Sequence, residues 1–353
     1  MAYATITKPS SHFSCTLHTG TGSTQQITTG LNMSANGGMV WNKLRSGSNN
    51  HVLWDTIRTA TKTIYPDLGA QEATEANTLT AFTTTGWTAG GGGNTNANGS
   101  TYASWNWLAG SSHSGTTNND GTIATTVSVN TTAGFSIVKW TGTGSAGTLG
   151  HGLGAVPKTI WVKKTSQADD WFIWHEALGA QGKMNFNNSS AVQNDTGYWN
   201  NTLPTNQVFS VTSNGANNAS GQTYIAYCFS EKKGYSKFGS YTGNGNADGT
   251  FVYTGFKPAF VMIKTNTDSG EWAMFDNKRN IGNETADVLR ANSTSAESDS
   301  TGNNSIDILS NGFKVRGTGG WVGTNGRGFI YMAFAEAPFV ANNSGTAVPV
   351  TAR

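Results

Sequence analysis

The chain repeats itself three times, and no other feature constrains its fold as strongly. Val40-Trp41-Asn42-Lys43 recurs as Ile160-Trp161-Val162-Lys163 and again as Val261-Met262-Ile263-Lys264. Eleven residues after each lysine stands an aromatic: Trp54 before Asp55, Trp174 before His175, Phe275 before Asp276. Turn-forming stretches precede the motifs at residues 19–23, 141–145 and 242–246, and strand-like runs close each copy at residues 102–107, 224–229 and 329–334. A period of about a hundred residues is too long for a propeller blade and suits a complete small domain.

The composition says what kind of domain. Charged residues make up only 12% of the chain and Gly numbers 45, a mixture poor in helix formers and suited to strands joined by tight turns. Disordered chains are also polar but lack aromatics, whereas here 12 Trp among 11% aromatic residues can build cores. Runs such as Ile160-Trp161-Val162 and Phe260-Val261-Met262-Ile263 are apolar on both faces, as in central strands covered on each side. The expected fold is therefore all-β, with three tandem related β-sandwich-like modules and a single composite sheet structure as the rival.

The expected boundaries are a polar lead at 1–12, modules at 13–110, 134–230 and 234–340, a connector at 111–133 and a tail at 341–353. Ile123, Val127 and Val129 alternate within the connector and predict a strand there. The joint Glu231-Lys232-Lys233 is too short for free reorientation, so modules two and three should pack together. Phe238-Gly239-Ser240-Tyr241 reads as carrying one extra residue, hence a β-bulge at Gly239.

A net charge of +2 with scattered Lys and Arg offers no field for nucleic acid. Residues 1–10 lack a signal-peptide pattern, and no apolar run reaches the ~18 residues of a membrane span, so neither ordinary export nor membrane insertion is expected. Cys15 and Cys228 sit in strand-like runs and are expected as free thiols, with no metal-binding spacing.

Chemistry is sparse. Lys43, Lys163 and Lys264 could ring a shared anion, but a lysine that blunts a strand end explains them more simply. The column Asp55, His175, Asp276 is acidic in two copies only, which suits turn hydrogen bonding better than catalysis. Residues 244–249 resemble the start of a calcium loop but lack its first Asp and its bidentate Glu. No nucleophile elbow, phosphate loop or zinc motif occurs, so no catalytic residue, metal or cofactor is expected. Aromatics in shared columns are expected to be core. Trp199 and Trp321 break the repeat in Gly/Asn-rich surroundings, and with Tyr198 they are the candidate contacts for a ligand or receptor, where an exposed ring could stack on a sugar.

Several stretches together carry a family resemblance: residues 133–138, 150–158, 234–245, 306–314 and 333–339, including Gly150-His151-Gly152-Leu153-Gly154-Ala155-Val156-Pro157-Lys158 and Ile306-Asp307-Ile308-Leu309-Ser310-Asn311-Gly312-Phe313-Lys314. They resemble a repeat domain of uncharacterised function found in virion and tail-fibre-like proteins of marine bacteriophages, including phages of cyanobacteria. The resemblance spans nearly the whole chain and is weakest in the first module. It implies a non-enzymatic virion protein, a tail or head fibre contacting the host surface, assembled in the host cytoplasm. Its implied partners are other virion proteins, further copies of itself (a homotrimer above all) and a host surface glycan or protein. The alternatives are a capsid-decorating or tail-assembly protein without its own ligand and, further off, a surface-polysaccharide depolymerase.

Overall fold

A computed structural model describes residues 4–110, 112–343 and 346–349. Of the expected lead, connector and tail, residues 1–3, 111, 344–345 and 350–353 lie outside the described residues. The fold is all-β, and its helical turns among the described residues are pieces of three or four residues.

The three copies build three main sheets with one strand order. The first runs Phe13–Thr19, Thr101–Leu108, Gly38–Leu44, Val52–Asp55. The corresponding four strands of the second are Phe135–Thr141, Thr223–Phe229, Thr159–Lys164 and Phe172–His175. Those of the third are Ser236–Thr242, Gly328–Pro338, Phe256–Thr265 and Ala273–Asp276. Register repeats as well: Val40 lies opposite Trp54, Ile160 opposite Trp174, and Val261 opposite Phe275. The connector does form strands, Thr116–Asn118 and Thr125–Asn130, which extend the second main sheet beyond Phe135–Thr141.

Each main sheet faces a smaller one. Gln25–Thr28, Gly86–Ala89 and Leu79–Phe82 form the first, Gly147–Gly150 and Val208–Val211 the second, and Phe251–Tyr253, Gly312–Val315 and Ile306–Leu309 the third. Between each pair lies a private core: Val40, Val52, Trp54 and Trp87 in the first, Ile160, Val162, Trp174 and Phe209 in the second, Val261, Ile263, Phe275 and Phe313 in the third.

The alternate side chains of the same main strands point the other way and meet in one shared core. Trp41, Leu53 and Trp105 of the first sheet pack with Trp161, Ile173 and Tyr227 of the second and Met262, Met274 and Met332 of the third. At its centre, Trp107, Phe229 and Phe334 form a triangle of rings with centroids 6.2, 5.6 and 5.8 Å apart. Strands apolar on both faces are thus explained, since one face closes a sandwich and the other closes the assembly. The arrangement is therefore sandwiches with separate sheets and not the rival single composite sheet, and the sandwiches join through the shared core.

The shared turn also has a physical cause. A Cβ on Gly20, Gly142 or Gly243 would stand 2.1, 2.2 or 2.3 Å from the carbonyl oxygen of Ala97, Ala219 or Thr324, so only glycine fits the first turn position.

Two local expectations need correction. No bulge occurs at Gly239, because Ser236–Thr242 pairs in continuous register with Gly328–Pro338. Gly239 instead makes room for its cross-strand neighbour Tyr331, whose hydroxyl would lie 3.0 Å from an added Cβ. The irregularity falls at Pro258 in Phe256–Thr265, on the far side of Gly328–Pro338, where a residue without an N–H interrupts the ladder. The lead is not simply polar either: Ala4 and Ile6 are buried, and the Thr5 N–H donates to the Lys233 carbonyl across the joint between modules two and three.

Candidate functional site

The repeated polar columns lie at the interfaces between modules, and each interface repeats a lysine-to-carbonyl bond across the joint. Lys43 donates from Nζ to the carbonyls of Leu44, Asn49 and Thr294; Lys163 to those of Gly69 and Asp169; Lys264 to those of Ser189 and Thr265. Thr294 belongs to module three, Gly69 to module one and Ser189 to module two, so each lysine reaches the preceding module around a closed ring. The same three carbonyls accept backbone N–H groups of Asn49, Asp169 and Gly270 at 2.8, 2.7 and 2.8 Å. Ring N–H groups follow suit: His51 Nε2 meets the Arg290 carbonyl at 2.9 Å, Trp171 Nε1 the Tyr65 carbonyl at 2.8 Å, and Trp272 Nε1 the Asn185 carbonyl at 2.9 Å.

The lysines are therefore fully buried clamps, not strand ends lying over apolar surface. Nor do they converge on an anion, since each is engaged at a separate interface. Burial pulls all three ammonium groups down to about 8, the expected direction for a cation removed from water.

Asp55 and Asp276 do accept turn hydrogen bonds, from the backbone N–H of Arg58 at 2.9 Å and of Lys278 and Arg279 at 2.9 Å. Each also pairs with the arginine three residues on, Arg58 Nε at 2.5 Å and Arg279 Nε at 2.6 Å, with all four side chains buried. A neighbouring module completes each site: Tyr227 Oη donates to Asp55 at 2.6 Å and Trp105 Nε1 to Asp276 at 3.1 Å. Burial alone would raise the Asp276 carboxyl, but Arg279 and the turn amides hold it below the ordinary carboxylate range. In module two His175 takes this place. Burial lowers it to about 4, and as a neutral ring it accepts the Ala177 N–H on Nδ1 and donates from Nε2 to the Tyr331 carbonyl.

The residues singled out as ligand contacts fall elsewhere. Trp199 is only 3% exposed and belongs to the private core of module two, so its ring faces are covered by protein and cannot stack on a sugar. Tyr198 is half-buried, packing on Phe172 with the Lys183 ammonium 4.2 Å from its ring centre. Trp321 is half-buried against the module-three core, with the Arg290 guanidinium 5.3 Å from its ring centre. Tyr198 and Trp199 share the module-two core while Trp321 lies in module three, so the three form no common site. Cys15 and Cys228 are free, as expected. No group of three or more His, Cys, Asp or Glu among the described residues could hold a metal ion, and no described helix is long and apolar enough to cross a membrane.

The exposed aromatics that sequence reasoning missed are Phe251 and Tyr253, at 45% and 52% exposure. Alternation places both on the outer face of Phe251–Tyr253, with Val252 turned inward between them. Opposite Phe251 lies Lys314, then Asp307; opposite Tyr253 lies Gly312, then Leu309. The Phe251 ring leans over Gly312, since a Cβ there would stand 3.2 Å from Phe251 Cε2. Charged groups border the rings: Asp248 accepts from Lys314 Nζ at 2.5 Å and Arg316 Nη1 at 3.2 Å, and Arg316 Nε lies 3.4 Å from Asp307. The bond to Lys314 holds Asp248 below the ordinary range. The matching outward positions are Gln26 and Thr28 in module one and Thr148 and Gly150 in module two. The aromatic face thus breaks the repeat, and that was the signal that could have found it.

Fold and sites together define an all-β protein whose three two-sheet modules close into a ring within one chain, its repeated polar residues used as interface locks. The chain belongs to the family DUF7483, a domain of unknown function, which matches residues 8–338. Neither a curated protein nor a solved structure matches it.

Proposed function

We propose that the protein is a non-enzymatic structural component of a phage particle, a tail or head fibre element that meets the host surface. The assignment to a particle rests on the resemblance of its sequence to virion proteins of marine phages. The observation that carries the mechanical part is the closed ring: three sandwiches share one core and are clamped at every joint, giving a rigid head from which outer loops and sheet faces project. The charged groups of the repeat, the lysine and aspartate columns, are spent on those joints, which leaves binding to residues that differ between copies. Low surface charge suits an exposed particle in salt water, where screening weakens charge–charge attraction anyway.

Its partners in this reading are other virion proteins and a host surface glycan or protein. A threefold particle site can be met by three copies around an axis or by one copy whose own pseudo-threefold axis coincides with it. That second geometry favours the alternative reading, a capsid-decorating protein without its own ligand. Immunogold labelling of particles separates the readings: label at tail or fibre tips supports host contact, uniform label over the head supports decoration, and no label on purified particles refutes both.

A further inference from the structure

We infer that the groove between Ile57 of module one and the connector strands of module two binds an acidic sugar, a saccharide carrying a carboxylate or a sulfate. This rests on the host-contact reading and names the partner chemistry.

The groove measures about 730 Å³, within the range of clefts that take small ligands. Register sets its floor. Thr117 lies opposite Thr126, and Thr126 opposite Lys139, so the three side chains share one face in a row across three strands. Neighbouring strands stand about 4.8 Å apart, which spreads two hydroxyls and one ammonium over roughly 10 Å. Ile225 continues the row into the shared core. Unlike the clamp lysines, Lys139 makes no hydrogen bond or ion pair with a described residue, and none of the described residues lining the groove is acidic. An ammonium offers donors only and pairs best with a carboxylate or sulfate, whereas a threonine hydroxyl both donates and accepts, as sugar hydroxyls require. A bare anion would leave the hydroxyl row idle, and a neutral sugar would leave the cation unanswered. The walls of the groove also shield a charged pair from salt better than open surface does.

The repeat marks the same place. Leu17 and Ser240 stand where module two has Lys139, so the cation is not part of the common framework. The next column holds His18, Trp140 and Tyr241, stacked on Tyr102, Tyr224 and Phe329 with centroids 4.9, 5.1 and 5.1 Å apart. His18 Nε2 meets the Thr95 carbonyl at 2.9 Å, and Tyr241 Oη donates to the Val322 carbonyl at 2.8 Å. Trp140 lines the groove, and its buried Nε1–H has no acceptor in the protein. An unmade bond of that kind is costly, and a ligand oxygen is the partner this position lacks.

The test is titration of the full chain, followed by the NMR resonances of its indole N–H groups, with methyl glucuronoside, a sulfated glucose, neutral methyl glucoside and inorganic sulfate. Trp140→Phe assigns the Trp140 resonance. Expected is a shift of that resonance with at least one acidic sugar, bound more tightly than both the neutral glucoside and inorganic sulfate. Lys139→Gln should lower that affinity about 10- to 100-fold with the thermal midpoint unchanged. No binding of either acidic sugar overturns the inference, as does equal binding of the neutral glucoside or of inorganic sulfate. Binding that survives Lys139→Gln also overturns it; should that variant fail to fold, Thr126→Val, nearly isosteric at its site, takes its place under the same criterion. Immunogold label at tail tips with no acidic sugar bound sinks this inference and leaves the particle assignment standing. Sugar bound with no label on purified particles does the reverse.

Discussion

The buried lysines make stability depend on pH in an unusual direction, and Lys264 gives the clearest case. Its Nζ donates to the Ser189 carbonyl at 3.2 Å and the Thr265 carbonyl at 3.0 Å. No carboxylate among the described residues is within salt-bridge distance of it, and burial draws it down from 10.5 to about 8. That difference amounts to about 3 kcal/mol between its charged and neutral forms. Because the folded value lies below the unfolded one, the unfolded chain holds more protons between about pH 8 and pH 10.5. Stability must therefore rise with pH across that window; below it the penalty for burying the charge is fully present.

Lys264→Met isolates the effect, since the other lysines titrate alike in both proteins. Ser189 keeps its second donor, the Gly270 N–H at 2.8 Å, so methionine does not orphan that carbonyl. Near neutral pH the variant should lie within about 2 kcal/mol of the native protein. Urea unfolding at about pH 7.5 and about pH 9.5 should then show the native protein gaining about 2 kcal/mol on the variant. The upper limit stays below the range near pH 10 where tyrosines of the unfolded chain ionise. A difference that is flat across the window, or that moves against the native protein, would refute the account of these lysines as desolvated cations.

Three further outcomes follow from the geometry. Arg279→Ala leaves Asp276 buried without its counter-charge and should cost about 3–5 kcal/mol in urea unfolding. Gly142→Ala forces a Cβ against the Ala219 carbonyl and should cost about 1–3 kcal/mol by the same measurement. Trp199→Ala removes a core ring and should cost about 3–5 kcal/mol, read as a lowered midpoint in urea unfolding.

The fold class was legible because the repeat and the strand pattern carry the same information at two scales. Lys-to-aromatic spacing reports the register of Val40 with Trp54 and of its two counterparts, since a fixed hairpin length sets which residues face each other. Sequence could not show that both faces of Trp41 and Trp161 strands end in different cores, because two-sided burial in a sandwich and in a ring read alike along the chain. The lysine column hides its role for a related reason: a cation at a strand end is ordinarily at the surface, and only the carbonyls of another module make burial tolerable. An aromatic that breaks the repeat is a sound candidate for an outer contact, but loop surroundings do not tell whether its ring is exposed. Trp199 sits in Gly/Asn-rich surroundings yet fills its core, whereas Phe251 and Tyr253 sit in a strand and face outward. Side-chain direction, not loop character, decides exposure.

The three interfaces also show how the lock is specified. At two of them a ring with a polar hydrogen, Tyr227 or Trp105, meets an aspartate held by an arginine, and that arginine meets a glutamate, Glu72 at 3.2 Å or Glu297 at 2.9 Å. At the third, between modules two and three, all four positions differ together. Met332 stands for the ring, His175 for the aspartate, Leu178 for the arginine and Val192 for the glutamate, and Leu178 and Val192 pack on the shared core. A carboxylate at 175 would face a thioether that cannot donate, and an arginine at 178 would be a buried cation without a partner, each costing several kcal/mol. The backbone bond at this joint survives regardless, with the Val192 N–H reaching the Asn266 carbonyl at 3.3 Å as Glu72 reaches Thr165 and Glu297 reaches Arg45 at 3.0 Å. Closure of the ring therefore depends on main-chain complementarity common to all three joints, while the side chains choose between an ionic and an apolar filling only as complete sets.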